Sequence, residues 1–172
     1  MSSTPSEFDL LSPSLKQIPM FLLLSGRELE ELASEARLVK YEPGEYLMEE
    51  GATGDCAFVL LKGRVEVTKA GVGLGFLTQG DCVGEVALLD ASARSATVKA
   101  LEPIVAVRLG HDTFERLLDR PIFVKSLLLA LTNKLRQSVE FQVESEKARR
   151  KLLEELARFL EQEKPPQIAE KA

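Results

Sequence analysis

The stretch from Gly80 to Val98 constrains the fold of this 172-residue chain more than any other segment. It reads G-D-C-V-G-E-V-A-L-L-D-A-S-A-R-S-A-T-V. The pattern predicts a strand end, a turn at Gly84, one short turn of helix and a second strand that begins with Arg94. Gly84 lets the backbone approach another group closely, because it has no side chain to hold that group away. The rest of the chain must be arranged around this unit.

The same stretch collects the chemical groups that bind a phosphate and a sugar. The backbone N–H groups of residues 85–88 would form the N-terminus of the short helix, where anions are favoured. Arg94 adds a forked, permanently charged donor that suits a phosphate, and Ser95 adds a hydroxyl. Glu85 is a carboxylate that can accept a hydrogen bond from a sugar hydroxyl. One phosphate and one ribose hydroxyl outline a cyclic nucleotide.

These residues resemble the phosphate-binding cassette of the cyclic nucleotide-binding domain family, which includes the catabolite activator protein, kinase regulatory subunits and nucleotide-gated channels. The family pattern is roughly F-G-E-hydrophobic-A-L, a short gap and then P-R-x-A-T-V. Val83 stands at the usual aromatic position and Ala93 at the usual proline, and neither departure removes a ligating group. The matching residues are Gly84, Glu85, Ala87, Leu88, Arg94, Ala96, Thr97 and Val98.

The resemblance implies that the ligand is cAMP, with cGMP as the less favoured alternative, and it implies no cofactor. The cassette arginine, the following serine and the helix amides would hold the cyclic phosphate. The glutamate and the glycine backbone would hold the ribose 2′-hydroxyl, and Val83, Leu88 and Ala96 would line an apolar wall. The predicted ligand-binding residues are Val83, Gly84, Glu85, Val86, Ala87, Arg94, Ser95 and Ala96.

Composition predicts one globular domain with an appendage. Hydrophobic residues make up 45% of the chain, which is enough for a core, and the net charge of −5 argues against a broad basic face for nucleic acid. Cys56 and Cys82 lie in strand-like context and are expected to be buried, reduced thiols. Neither a signal peptide nor an apolar run of the roughly 20 residues that a membrane span needs is evident. We therefore predict a cytoplasmic protein with no membrane partner.

Helical signals come before the strands. Residues 1–17 are predicted to form an arm or irregular helix with apolar docking points at Phe8, Leu10, Leu11 and Leu15. Ser25 and Glu28 form a capping box, which predicts a helix start. The helix that follows has one apolar face, made of Leu29, Leu32, Ala33 and Ala36.

Short strands and glycine turns occupy the middle of the chain. Pro43-Gly44 marks a turn, and residues 64–68 alternate with the period of two that a half-buried strand shows. The predicted fold class is α+β: an antiparallel, jelly-roll-like β-roll with N-terminal helices, a short cassette helix and long C-terminal helices. The predicted segments are an arm (1–17), the cyclic nucleotide-binding β-roll (18–120), C-terminal helices (121–163) and a flexible tail (164–172).

The C-terminal segment reads as helix. Asp112 and Glu115 suggest a second capping box, with His111 as an exposed residue at the helix entry. From Pro121 nothing breaks the chain until Pro165, and one helix of that length would span roughly 65 Å. Its apolar seam weakens from residue 142 to 151, so we predict a break or change of direction near residues 145–150. The seam consists of Val124, Leu128, Leu131, Leu135 and Val139 and returns from Leu152 to Leu160.

The resemblance extends to this segment. It implies a homodimer through residues 121–145, because catabolite-activator-like proteins dimerise through their long helix; a helix folded onto its own β-roll is the alternative. It also implies that Ser138 contacts the base and that Lys134 approaches the cassette glutamate. An ordinary solvated helix face is the alternative for both residues.

Two classes of function are disfavoured. Catabolite-activator-like regulators continue into a helix-turn-helix domain, whereas the residues after Arg150 are far fewer than the roughly 50 that an independent domain needs. His111 is the only histidine, so a metal cluster or a histidine-activated nucleophile is not expected. We therefore predict neither DNA binding nor catalysis.

A stand-alone cyclic nucleotide sensor is the function that the sequence favours. It would signal to an unidentified effector protein through rearrangement of its C-terminal helices. A non-enzymatic dimerisation or scaffold domain with weak or no nucleotide binding is the alternative, and a transcription regulator is the third possibility.

Overall fold

The computed structural model describes residues 13–162, with side chains up to residue 158. The expected docking residues Phe8, Leu10 and Leu11 and the predicted tail 164–172 lie outside the described residues. Leu15 is fully buried in the core.

In the described part of the chain, eight strands form two antiparallel four-stranded sheets, which confirms the predicted α+β β-roll. The first sheet has the order β1 (Arg37–Tyr41), β8 (Ile104–Gly110), β3 (Cys56–Lys62) and β6 (Cys82–Val83). The second has the order β2 (Tyr46–Met48), β7 (Thr97–Ala100), β4 (Val65–Lys69) and β5 (Val72–Leu77). The turn predicted at Pro43-Gly44 joins β1 to β2.

Strand β3 is buried on both faces, which explains its uninterrupted apolar run C-A-F-V-L-L. Cys56, Phe58 and Leu60 belong to the core between the two sheets. Ala57 and Val59 point the other way, into the core that the helices share with the first sheet. A strand covered on both sides loses the polar alternation of a half-exposed strand. Both cysteines are buried and unpaired, as predicted.

Helices cover the outer face of the first sheet and flank the second. They are a 3₁₀ turn (Pro19–Phe21), α1 (Gly26–Glu35), α2 (Glu85–Leu89), α3 (His111–Leu118) and α4 (Pro121–Gln162). The capping box at α1 is confirmed: Glu28 N–H donates to Ser25 Oγ at 3.4 Å, and Ser25 N–H donates to a Glu28 carboxylate oxygen at 2.7 Å. None of the described helices is long and apolar enough to cross a membrane.

The second predicted capping box is wrong. Helix α3 starts at His111, Gly110 precedes it without a side-chain cap, and Asp112 already lies within the first turn. The sheet fixes this junction instead: Gly110 still pairs with Cys56 of β3, and His111 N–H donates to the Asp55 carbonyl at 3.1 Å. His111 is exposed at the helix entry, as predicted.

The predicted break near residues 145–150 is also wrong, because α4 is a single helix from Pro121 to Gln162. Residues 142–151 contain neither glycine nor proline. Oppositely charged side chains one turn apart support the helix there: Arg149 lies 3.6 Å from Glu146, and Arg150 lies 3.3 Å from Glu154. The weak apolar seam therefore marks a polar surface on a continuous helix.

The base of α4 is held by an aromatic cluster and by charge. The Phe123 ring stacks on Phe21 with centroids 6.1 Å apart and meets Phe114 edge-on at 6.0 Å. Arg120, directly before the helix, forms ion pairs with Glu28 and Glu31 of α1. The N-terminal segment, α3 and α4 thus share one packed junction.

We expect Phe123→Ala to lower the free energy of unfolding by about 3–5 kcal/mol, because it empties a site that is 1% exposed and touches three elements. Urea denaturation measures the change. The matched control on the same helix is Leu129→Ala, whose side chain is 59% exposed and whose effect should stay within about 0.5 kcal/mol. Equal stabilities of the two variants would show that the aromatic cluster does not anchor α4.

Candidate functional site

A cavity of about 590 Å³ opens beside the cassette, in the size range of small-molecule sites. Its walls come from β5, from α2 and the residues around it, from the entry to β7 and from one face of α4. The structure brings all ten predicted site residues to this cavity, eight from the cassette and two from α4. They are Val83, Gly84, Glu85, Val86, Ala87, Arg94, Ser95, Ala96, Lys134 and Ser138.

Gly84 shapes the floor of the cavity. Its φ of +88° is favourable only for glycine, and a Cβ there would lie 2.6 Å from Arg94 Nη1 and 3.1 Å from the Cys56 carbonyl oxygen. The next residue begins α2, whose first N–H groups have no acceptor within the helix. A left-handed glycine therefore places both the helix N-terminus and the arginine at the same wall.

Arg94 is buried and held by backbone carbonyls. Its Nη1 donates to the Cys56 carbonyl at 2.7 Å and to the Gly84 carbonyl at 3.0 Å, and its Nη2 contacts Cys56 Sγ at 3.3 Å. A guanidinium has five N–H donors, so these contacts leave donor capacity for a ligand. Only 5% of the residue is exposed, so its charge acts in a medium that screens poorly.

Asp55 links Arg94 to a second arginine. One carboxylate oxygen lies 3.8 Å from Arg94 Nη2, and the other accepts a hydrogen bond from Arg108 at 2.8 Å. The hydrogen bond with the Cys56 thiol, followed by the charges of Arg108 and Arg94, lowers the pKa of Asp55. Burial, and then the hydrogen bond with Asp55, raises the pKa of Cys56, so the thiol stays neutral. Two cations and one anion leave this corner positively charged.

Only 1% of Glu85 is exposed, and its carboxylate also contacts a side chain of α4. Lys134 Nζ donates to Glu85 Oε1 at 2.5 Å and to the Cys82 carbonyl at 2.8 Å. The other oxygen, Oε2, is buried without a hydrogen-bond partner. Because buried carboxylate oxygens are rarely left unpaired, Oε2 identifies a position at which a ligand donor would be stabilised.

Ser138 and two unpredicted aromatics complete the α4 side. Ser138 Oγ donates to the Leu74 carbonyl of β5 at 3.2 Å, which ties the helix to the sheet. Phe141 meets Phe76 of β5 edge-on at 5.7 Å, and its ring lies over the backbone of Gly73. Sequence reasoning missed both rings, although residues 134, 138 and 141 have the i, i+4, i+7 spacing of one helix face. It also missed Asp55 and Cys56 as the partners of the cassette arginine.

One expected wall residue lies elsewhere. Leu88 is 4% exposed and packs in the core under the helices, whereas its neighbour Ala87 lines the cavity. Successive helical residues point about 100° apart, and the direction that Leu88 takes leads into the core. Ala87 also packs against Gly54, where a Cβ would lie 2.4 Å from the Ala87 Cβ.

Comparisons with known proteins agree with this geometry. Residues 38–121 match the family model for the cyclic nucleotide-binding domain. A cAMP-dependent protein kinase regulatory subunit of Yarrowia lipolytica is 40% identical over 106 residues, which are 60% of this chain and 28% of that protein. The chain therefore spans under a third of that relative's length.

Two solved structures share the fold over most of the chain. The cAMP-bound PfPKA-R fragment 141–441 has a TM-score of 0.70 and 28% identity, over 79% of this chain and 48% of the fragment. The PKAR CBD2 structure bound to Sp-2Cl-cAMPS has a TM-score of 0.67 and 25% identity, over 79% of this chain and 91% of that one. Together with the family model, these matches show that residues 38–121 of this chain belong to the cyclic nucleotide-binding domain family.

Proposed function

We propose that this chain is a non-catalytic cyclic nucleotide sensor that binds cAMP, with cGMP as the weaker ligand. The observation that carries the proposal is one cavity wall that holds a buried arginine, Arg94, and a buried carboxylate with an unpaired oxygen, Glu85. A cyclic nucleotide offers one anion, which would pair with the arginine, and one ribose hydroxyl donor, which would bind the carboxylate. Both solved relatives described above hold cAMP or an analogue of it.

The phosphate would lie between Arg94, the Ser95 hydroxyl and the amides that begin α2. Charged and N-terminal donors both favour an anion there. The ribose 2′-hydroxyl would donate to Glu85 Oε2, which satisfies the one described buried side-chain atom without a partner. These two contacts fix the sugar–phosphate ring and leave the base to point along the cavity.

The base would lie against the aromatic side of the cavity. Phe76, Phe141 and Leu135 line that region and offer apolar surface to a purine. Ser138 would be near the base as expected, although its hydroxyl proton is engaged by the Leu74 carbonyl and leaves it mainly an acceptor. An acceptor suits the exocyclic amine of adenine, and this favours cAMP modestly.

The signal would pass through α4. Glu85 touches both the proposed ribose site and Lys134, so a ligand that binds Glu85 changes the environment of the helix through a single side chain. A ligand shifts a conformational equilibrium by its difference in affinity for the two states. The receiver is a protein partner, and the cytoplasm is the proposed site of action, in line with two unpaired buried cysteines.

The first test is isothermal titration of nucleotide-stripped protein with cAMP and, in parallel, with cGMP. We expect saturable one-to-one binding of cAMP and weaker binding of cGMP. Comparable affinities would show a site that recognises only phosphate and ribose. The absence of heat with either nucleotide would favour the scaffold alternative over the sensor.

We expect Arg94→Ala to weaken cAMP binding by about 2–5 kcal/mol, or roughly 30- to several-thousand-fold, because a buried phosphate charge would lose its partner. Arg94→Lys keeps the charge but not the fork and should fall between the parent and Arg94→Ala. Arg37→Ala, an exposed arginine on β1 outside the cavity, is the matched control.

Arg94 also binds two backbone carbonyls, so unfolding curves without nucleotide must show that each variant is folded. Unchanged cAMP affinity in a folded Arg94→Ala protein would place the phosphate elsewhere.

We expect Lys134→Met to uncouple α4 from the ligand. In the parent protein, cAMP should slow amide hydrogen exchange both in the cassette and in residues 134–144. In the variant the cassette should remain protected, while the slowing in α4 should shrink by at least about tenfold, since a charge-assisted hydrogen bond contributes about 1.5–3 kcal/mol. Lys125→Met on the same helix, outside the cavity, is the control. Full protection of α4 in Lys134→Met would mean that another contact carries the coupling.

A further inference from the structure

The distal part of α4 extends beyond the rest of the molecule. Every residue from Gln142 to Arg158 is exposed, a length of about 25 Å. An isolated helix of this size is only marginally stable in water. Three leucines on it are between 52% and 66% exposed: Leu152, Leu153 and Leu156. The described residues 13–162 therefore leave uncovered a helix surface that would be stabilised by burial.

One stripe along this helix keeps an unbroken heptad spacing. Its steps alternate between four and three residues, which is the pattern of a coiled-coil seam. All of its members are exposed, and from residue 139 onward none lines the cavity. This seam consists of Leu135, Val139, Gln142, Glu146, Arg149, Leu153 and Leu156.

The charges in the middle of the seam determine which orientation of a second helix it can accept. In a parallel pair, equal positions face each other, so Glu146 would meet Glu146 and Arg149 would meet Arg149. The seam has two kinds of position, because its steps alternate between four and three residues. In an antiparallel pair, each kind of position faces the other kind, so Glu146 of one protomer would meet Arg149 of its partner, and the interface would contain two such ion pairs. Like charges across an interface are unfavourable, and opposite charges fix the register.

The same antiparallel register matches the apolar residues. If Glu146 faces Arg149, then Gln142 faces Leu153 and Val139 faces Leu156. Apolar layers therefore lie at both ends of the contact and the ion pairs lie at its centre. We propose that residues 139–156 of α4 bind a second copy of this chain in antiparallel orientation, in this register. The proposed interface thus lies further along the helix than the expected 121–145.

The rest of the fold is compatible with this arrangement. Phe141 packs on β5 and therefore marks where each β-roll contacts its helix. In the proposed register Phe141 would lie opposite residue 154 of the partner, so the two β-rolls would lie at opposite ends of the paired helices. Glu146 and Arg149 lie 3.6 Å apart within one helix and are each 72% exposed, so that pair contributes little and can be exchanged for a contact across the interface. Nucleotide binding is not needed for this pairing, so the titration described above tests a separate property.

Sedimentation equilibrium of the full chain, from low micromolar to millimolar protein, is the first measurement, and we expect a reversible monomer–dimer equilibrium. Glu146→Arg should raise the dimer dissociation constant by about tenfold or more, and so should Arg149→Glu, because each sets like charges together. The double variant E146R/R149E should return to within about threefold of the parent, because the two charges are exchanged. Lys151→Glu, an exposed residue off the seam, is the matched control.

Cysteine cross-linking distinguishes the orientation. A mixture of Val139→Cys and Leu156→Cys proteins should form a disulfide between the two variants under mild oxidation, and neither variant alone should cross-link. Equal positions at 139 would be about 26 Å apart along the pair, far beyond disulfide reach. The native Cys56 and Cys82 are at most 3% exposed and provide no competing thiol.

The outcomes separate the possibilities. Reversible dimers, rescue by the double charge exchange and the 139–156 cross-link would together establish the antiparallel contact. A Leu135→Cys protein that cross-links to itself would show a parallel pair and overturn the proposal, since the antiparallel register sets those positions about 37 Å apart. A monomer at every concentration would also overturn it, and a helix of another protein would then be the alternative partner for the seam.

Discussion

Two buried charges of opposite sign, Arg94 and Glu85, are the constraint on which the rest of the molecule depends. A charge removed from water must be paired or hydrogen-bonded, or the fold loses several kcal/mol. Each charge is therefore supported by a different part of the chain: backbone carbonyls of β3 and the cassette for the arginine, and a lysine of α4 for the glutamate. The contacts that keep these charges buried are also those that bring the cassette, the first sheet and the long helix to one cavity.

Small residues make this arrangement sterically possible. Gly84 removes the side chain that would collide with the arginine, and Gly54 lets Ala87 pack against the chain that leads into β3. Leu88, the residue after Ala87, points into the core. The charges therefore lie beside packed apolar residues, where electrostatic contacts are screened less than in water. The shape of the site therefore depends on the close approach of the backbone more than on the number of polar side chains.

How well the sequence predicts a feature depends on how far apart in the chain the contacting residues lie. The cassette, the β-roll and the α1 capping box depend on residues close together in the chain, and their spacing was sufficient. Phe76 and Phe141 come from segments some 65 residues apart and meet only because α4 crosses β5, so no local pattern paired them. The predicted helix break is wrong for another reason: the apolar seam weakens from residue 142 to 151, but this weakening changes only the polarity of one stripe on a continuous helix. The predicted capping box at Asp112 is wrong because the pairing of Gly110 in the sheet, and not a side-chain cap, sets the start of α3.

A single unbroken α4 changes how the parts of the molecule can influence one another. Its base is fixed by the Phe21–Phe114–Phe123 cluster and its middle touches Glu85 and β5, whereas the side chains from Gln142 to Arg158 are exposed among the described residues. A break near residue 145 would have insulated the distal half from the cavity, since a flexible joint absorbs rotation. In a continuous helix, a rotation that relieves or strengthens the Lys134–Glu85 contact turns the exposed stripe by the same angle. Because the stripe has charges at defined positions, even a modest rotation would alter which residues it presents to a partner, and the proposed mechanism would thereby couple the buried glutamate to a surface more than 20 Å away along the helix.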